Sequence, residues 1–233
     1  MNSSHFHTTH WSVVLAAKGD DTNARSALKM LCETYYMPLR RFIERETATD
    51  SLRCYGGCDA DDLTQDFITQ LLVGKMFGNL KRNGDTFRSY LLGAVKHFLA
   101  KIRRRESAAK RGGTFSQTPL SDDTADPSSA NDAIFDADWA RTMIAQALNS
   151  LDKTPEIHSP ILLPWLMQEM DASARSRIAA ELSMSEGAVK VALSRLRKRF
   201  REIIRSLIAE TVGHPSEING ELDHLIRALR GTS

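Results

Sequence analysis

The stretch Arg175–Glu202 reads RSRIAAELSMSEGAVKVALSRLRKRFRE. Its apolar residues recur at three and four, the helical period, and do not alternate as in a half-buried strand. Ile178 and Leu182 face inward on a first short helix. Val189, Leu193, Leu196 and Phe200 form the inner stripe of a second, at offsets of four, three and four. Ser185 is a good N-cap for that second helix. The pattern predicts helix over Ala174–Leu182, a tight turn over Ser183–Ser185, and helix again over Glu186–Ile208. The second helix turns Gly187, Lys190, Val191, Ser194, Arg197 and Lys198 outward. A helix that enters a major groove needs early outward residues that are small or hydrogen-bonding. Further along it needs cations to meet phosphates. Both conditions hold. The same pattern also describes a helical hairpin with an arginine-rich solvated face; the spacing together with one-sided charge favours DNA.

Upstream, the same helical period recurs and strand-like alternation is absent. Ala24–Ile43 carries Ala27, Leu28, Leu31, Tyr35, Leu39 and Phe42. Asp59–Val73 carries Leu63, Phe67, Ile68, Leu71 and Leu72, with Asp59 and Asp62 placed as N-cap and capping-box acid. Phe87–Arg105 carries Phe87, Leu91, Val95, Phe98, Leu99 and Ile102. Thr47–Gly57, broken by Gly56-Gly57, reads as a loop. Asp138–Leu148 puts Trp139, Met143, Ile144 and Leu148 on one face, and Pro164 can open the next helix. Pro215–Leu229 predicts one more helix. Gly112–Ser129, GGTFSQTPLSDDTADPSS, has little apolar surface to bury and reads as a flexible linker. The fold class is all-α: two small helical domains joined by a flexible acidic linker.

Charge is distributed unevenly although the net charge is only +2. From Lys96 to Arg111 there are seven basic residues against Glu106; from Ser116 to Asp138 there are six Asp and no Lys or Arg. From Arg175 to Arg205 there are nine basic residues against three Glu. Two basic blocks flanking an acidic connector suggest two surfaces that face polyanions. The helix over Asp59–Val73 differs. Opposite its apolar stripe it shows Asp61, Asp62, Gln65, Asp66, Thr69 and Gln70, a face that like-charge repulsion keeps off DNA. It reads either as a plain solvated face or as a docking surface for a basic protein. A basic, Gly- and Asn-containing loop over Phe77–Asp85 then leads into the helix bearing Arg88, Tyr90, Lys96, His97 and Lys101. Strand opening needs cations on the backbone, rings on unpaired bases and a loop that cups an extruded base. Helical periodicity puts Phe87 and Phe98 in the core instead.

Other function classes find little support. Adjacent acids on a solvated helix are poor general acids or bases without a cleft. No nucleophile motif and no phosphate-binding glycine loop occurs, so neither catalytic residues nor a cofactor is expected. Cys54 and Cys58 are loosely spaced with no second ligand pair, and His5, His7 and His10 sit at a frayed terminus; no metal is expected at either. Three cysteines without a framework fit a reducing compartment. The N-terminus lacks the basic flank and apolar run of a signal peptide, and no run reaches the ~18 apolar residues of a membrane span. A cytoplasmic protein without membrane contact is expected. A stand-alone helix–turn–helix regulator is the rival reading; it has no need of the acidic helix or the melting helix, and it usually dimerises.

In order along the chain, DADDLTQDFITQLL (59–72), FRSYLLGAVKHFLAKIRRRESAAKRGG (87–113) and the helix–turn–helix stretch (175–202) resemble the extracytoplasmic function (ECF) class of bacterial sigma factors. The resemblance implies sigma region two over residues 8–111, a linker over 112–134, sigma region four over 135–210, and an extension over 211–233 with one helix. It implies that Asp61, Asp62, Gln65, Asp66 and Thr69 grip the beta-prime clamp helices of core RNA polymerase, and that region four meets the beta flap. Minus-ten promoter DNA would be captured and melted by Asn79, Lys81, Arg82, Asn83, Arg88, Tyr90, Lys96, His97, Lys101, Arg103, Arg104 and Arg105. Minus-thirty-five DNA would be read by Ser185, Glu186, Lys190, Ser194, Arg195, Arg197 and Lys198. The acidic linker would thread toward the RNA exit path as a nucleic-acid mimic, and catalysis would stay with the polymerase. The start HTTHWSVVLAAKGDDTNARSAL is similar to a subgroup from bacteria rich in serine/threonine kinases. Control by an anti-sigma factor, or by a kinase acting on Thr64 or Thr69, follows as an expectation. The Thr47–Cys58 insertion and the C-terminal extension depart from the compact ECF pattern and count against standard anti-sigma control.

Overall fold

The computed structural model describes residues 10–16, 22–49, 59–73, 86–110, 130–152 and 159–231. These contain only helices and turns. In order they are α1 (His10–Ala16), α2 (Thr22–Thr49), α3 (Ala60–Leu72), α4 (Phe87–Lys110), α5 (Ala130–Asp152), α6 (Ser159–Leu162), α7 (Ala172–Glu181), α8 (Glu186–Ala209) and α9 (Ile218–Arg230). Short 3-10 turns over Leu163–Trp165 and Pro215–Glu217 precede α7 and α9. Pro164 opens the first of these turns, close to the helix start expected of it. The expected loop Thr47–Gly57 and insertion Thr47–Cys58 begin inside α2, and residues 50–58, with Cys54 and Cys58, lie outside the described residues. So does linker sequence 111–129, whereas 130–134 open α5, which begins earlier than periodicity indicated.

The chain forms two compact units, Met1–Thr142 with Ile208–Ser233, and Met143–Leu207. In the first, the periodic stripes meet. Leu28, Leu31, Tyr35, Leu39, Phe42 and Ile43 of α2 are buried, as are Leu63, Phe67 and Leu71 of α3 and Phe87, Leu91, Val95, Phe98 and Ile102 of α4. Tyr35 meets Phe87 edge-on at 5.0 Å, and Phe67 lies 5.4 Å from Phe98. Phe42 joins Phe135 of α5 at 5.8 Å. The short α1 is too brief to be stable alone; its fully buried Trp11 sits 5.1 Å from Phe87 and 5.3 Å from Tyr90. Asp59 and Asp62 close the expected capping box at the start of α3.

The C-terminal segment belongs to this first unit. The Trp11 amide donates to the Glu210 carbonyl at 3.1 Å, and the Phe87 amide to the Thr211 carbonyl at 2.9 Å. Consecutive carbonyls thus satisfy amides in the opening turns of α1 and α4, which have no partner inside their own helices.

In the second unit, Met143, Ala147 and Leu151 of α5, Ile178 of α7, and Val189, Leu193, Leu196 and Phe200 of α8 are buried. Asp171 caps α7, accepting from the Ala174 amide at 2.6 Å. The turn to α8 is a Schellman closure: the Met184 amide donates to the Ala179 carbonyl at 2.9 Å, and that of Ser183 to Ala180 at 3.2 Å. Ser183 takes φ 52° to make it. Ser185 then caps α8 through the Ala188 amide at 3.2 Å. The helix–turn–helix is therefore built as its periodicity and caps indicated.

Candidate nucleic-acid interface

On α3, Asp62, Gln65, Asp66 and Thr69 are exposed, so the acidic face stands open. Asp61 is held from behind: Arg40 donates to it at 2.6 Å and the Tyr36 hydroxyl at 3.2 Å. The Arg40 hydrogen bond keeps its carboxyl below the usual carboxylate range. Asp66 accepts from Gln70 at 3.0 Å. Thr64 is fully buried, and its hydroxyl donates to the Ala60 carbonyl at 2.6 Å. As a kinase target in the folded chain, Thr64 is thereby removed and Thr69 remains. The signal was present: Thr64 shares the apolar stripe of Ala60, Phe67 and Leu71.

On α4 the cations divide between two sides of the helix. At about 100° per residue, Arg88, Lys96 and Arg103 share one side, and His97, Lys101, Arg104 and Arg105 the other. The second group is exposed. The first is tied inward. Arg88, only 7% exposed, donates to Glu221 of α9 at 2.8 and 3.3 Å and to Asp136 of α5 at 2.7 Å. Its guanidinium also lies 5.2 Å from the Trp139 ring centroid. Lys96 pairs with Asp132, and Arg103 with Glu46 at 2.7 Å. Asp138 pairs with Arg41 and Arg45 of α2 and with Arg141. Asp132, Asp136 and Asp138 therefore neutralise cations of the first unit, while the linker acids Asp122, Asp123 and Asp126 lie outside the described residues. Tyr90 is half-buried, 6.4 Å from Phe87 as well as beside Trp11. Of the twelve expected minus-ten residues, four are thus presented to solvent, while Asn79, Lys81, Arg82 and Asn83 lie outside the described residues.

On α8, Ser185, Lys190, Ser194, Arg195 and Lys198 are exposed, with Val191 and Gly187 among them. This is a shallow face able to approach a groove, with cations placed for phosphates. Arg197 has partners within its own unit. One Nη2 donates to the carbonyls of Trp165 at 2.9 Å and Gln168 at 2.6 Å, which ties α8 to the segment leading into α7. Glu186 accepts from Ser176 and, at 2.9 Å, from Arg175; those two groups hold its carboxyl below the usual range. Neither Arg175 nor Arg40 was legible as a partner, because the pairings span 11 and 21 residues and no local period encodes them. Among the described residues, no group of three or more His, Cys, Asp or Glu is placed to hold a metal ion, and no helix is long and apolar enough to cross a membrane. His5 and His7 lie outside those residues.

A family model described as ECF sigma factor matches residues 12–206. No curated protein and no solved structure is significantly similar to the chain. With one family model running from α1 into α8 and the helix–turn–helix inside it, the chain belongs to the ECF sigma factor family, whose members bind core RNA polymerase and promoter DNA to start transcription.

Proposed function

We propose that this factor brings core RNA polymerase to its promoters through three separate faces and promotes melting of the DNA there. The observation that carries the reading is the pairing, within one unit, of an acidic exposed face on α3 with a basic exposed face on α4. A stand-alone regulator needs only the helix–turn–helix; an acidic face that repels DNA is useful where a basic protein must be held. In this reading Asp62, Gln65, Asp66 and Thr69 dock on the beta-prime clamp helices, with Asp61 braced behind them. His97, Lys101, Arg104 and Arg105 run beside the minus-ten strand. Lys190, Ser194, Arg195 and Lys198 meet the minus-thirty-five duplex, where Glu186 can accept from a cytosine amino group. Regions two and four keep the proposed spans 8–111 and 135–210 as functional divisions. RNA synthesis remains the chemistry of the polymerase.

The test separates the faces. Asp66→Lys should reduce co-elution of the full chain with core polymerase while leaving duplex binding by the chain alone unchanged. Lys190→Ala should do the reverse and make the salt dependence of duplex binding shallower by about one. If both variants lose the same activity, the division of labour is wrong. Kinase control in this reading acts at Thr69, where a phosphate adds about −1.5 to −2 charge to the docking face. Kinase treatment that leaves core affinity equal in the wild type and Thr69→Ala removes that regulator.

A further inference from the structure

The family match ends at residue 206, yet the chain continues into a segment that packs in the first unit. Two kinds of contact hold it. The main-chain anchor is Glu210–Thr211, whose carbonyls accept from Trp11 and Phe87. The His10 amide adds a bond to the Glu210 carboxylate at 2.9 Å. A self-capped turn follows, with Glu217 accepting from the Gly213 and His214 amides at 3.0 and 3.2 Å. Then comes α9, which buries Leu225 and Glu221.

Beside the buried Leu225, α9 makes ionic contacts. Glu221, 4% exposed, meets Arg88 on two oxygens; Asp136 meets Arg88 on one oxygen and His224 of α9 on the other, at 2.8 Å. A guanidinium held by two carboxylates has the partner geometry it would have against a phosphate. A buried ion pair is weak evidence for stability, since well-packed apolar residues serve as well or better, and a switching role is among the uses attested for such pairs. Arg88 also stands in the opening turn of the helix whose His97, Lys101, Arg104 and Arg105 face solvent.

Resting on the sigma-factor reading, we propose that α9 is an intramolecular acidic clasp: Glu221, joined by Asp136, occupies Arg88 in place of a promoter phosphate. The closed chain is the restrained form, and release of α9 about the Glu210–Thr211 anchor gives Arg88 to the DNA strand. The cluster has two carboxylates for one guanidinium, so an incoming phosphate replaces one anion by another and strands no buried cation.

The experiment uses full-length chain bound to core polymerase and a fluorescent forked DNA made from a promoter that the wild type transcribes. If the wild type neither binds core nor starts transcription, the sigma-factor reading itself fails. With those activities present, Glu221→Gln should tighten forked-DNA binding by about fivefold or more. Glu221→Gln combined with Arg88→Gln should lose that gain. Unchanged or weaker binding by folded Glu221→Gln, or a gain that survives loss of Arg88, overturns the clasp. Should Glu221→Gln fail to fold, hydrogen exchange of the wild-type complex decides. Amides of 218–230 exchanging faster once forked DNA is added support release, and equal or slower exchange overturns it.

Discussion

Ser183 pays a conformational cost for the turn that sets α7 against α8. Its φ of 52° lies where an L side chain crowds the carbonyl that follows. Ser183→Gly removes a conflict of roughly 1–2 kcal/mol and adds a chain-entropy cost of roughly 0.5–1 kcal/mol, a net gain of roughly 0.5–1 kcal/mol. Ser183→Val should lose about 1 kcal/mol or more, since a branched side chain fits that region worst. Chemical denaturation of the full chain reads both. Arg197 and Lys198 are neighbours with opposite duties. Arg197→Met removes a donor shared by two carbonyls and should cost about 1–2 kcal/mol, with little change in the salt dependence of DNA binding. Lys198→Ala should alter stability by no more than about 0.5 kcal/mol and make the salt dependence shallower by about one. A reversed pattern would return Arg197 to the phosphate role that its sequence position suggested. Cys32 is unreactive by burial, which pushes its thiol up to about 12. Alkylation near pH 8 should label it only after unfolding.

Along whole helices, the 3.6-residue period was enough to find α2, α3, α4, α7 and α8 and to assign their buried stripes, because each stripe is written within one segment. The capping pairs Asp59–Asp62 and Ser185–Ala188 were legible for the same reason. What periodicity does not contain is which outward charge meets which. Arg88 and Lys101 look alike in sequence, both cations on an amphipathic helix. Only Glu221, 133 residues away, and Asp136 turn the first inward. The early start of α5 escaped for a related reason: Asp132 looks like a linker acid, and Asp136 precedes the periodic stretch, until their partners on α4 are known. That network has an acid limit. Burial would raise the Asp136 carboxyl, but the His224 hydrogen bond and Arg88 outweigh it, and the net shift is downward. A carboxyl lowered in the folded state contributes fully above the unfolded value near ~3.9, and loses that contribution as pH falls through its folded value. The stability difference between the wild type and Asp136→Asn should therefore be present at neutral pH and close below about pH 4. A difference that persists at the acid end would mean that the carboxylate charge is not what holds the site.

For the molecule as a whole, charge is sorted by task. The cations of α4 that face inward are neutralised by α2, α5 and α9, and those that face outward are left for a polyanion. The acids of α3 face outward in the same unit, and the cations of α8 stand on the helix–turn–helix of the other. Sorting of this kind has a purpose if the chain joins a basic protein surface to DNA, and little purpose if it binds DNA alone. The most direct test is transcription by purified core RNA polymerase from a genomic promoter library, with and without the full chain. The account predicts chain-dependent start sites that share a two-part upstream sequence, with Asp66→Lys reducing transcription from all of them. Core polymerase that gains no new start sites from the chain, while the chain alone binds specific duplexes, would contradict it.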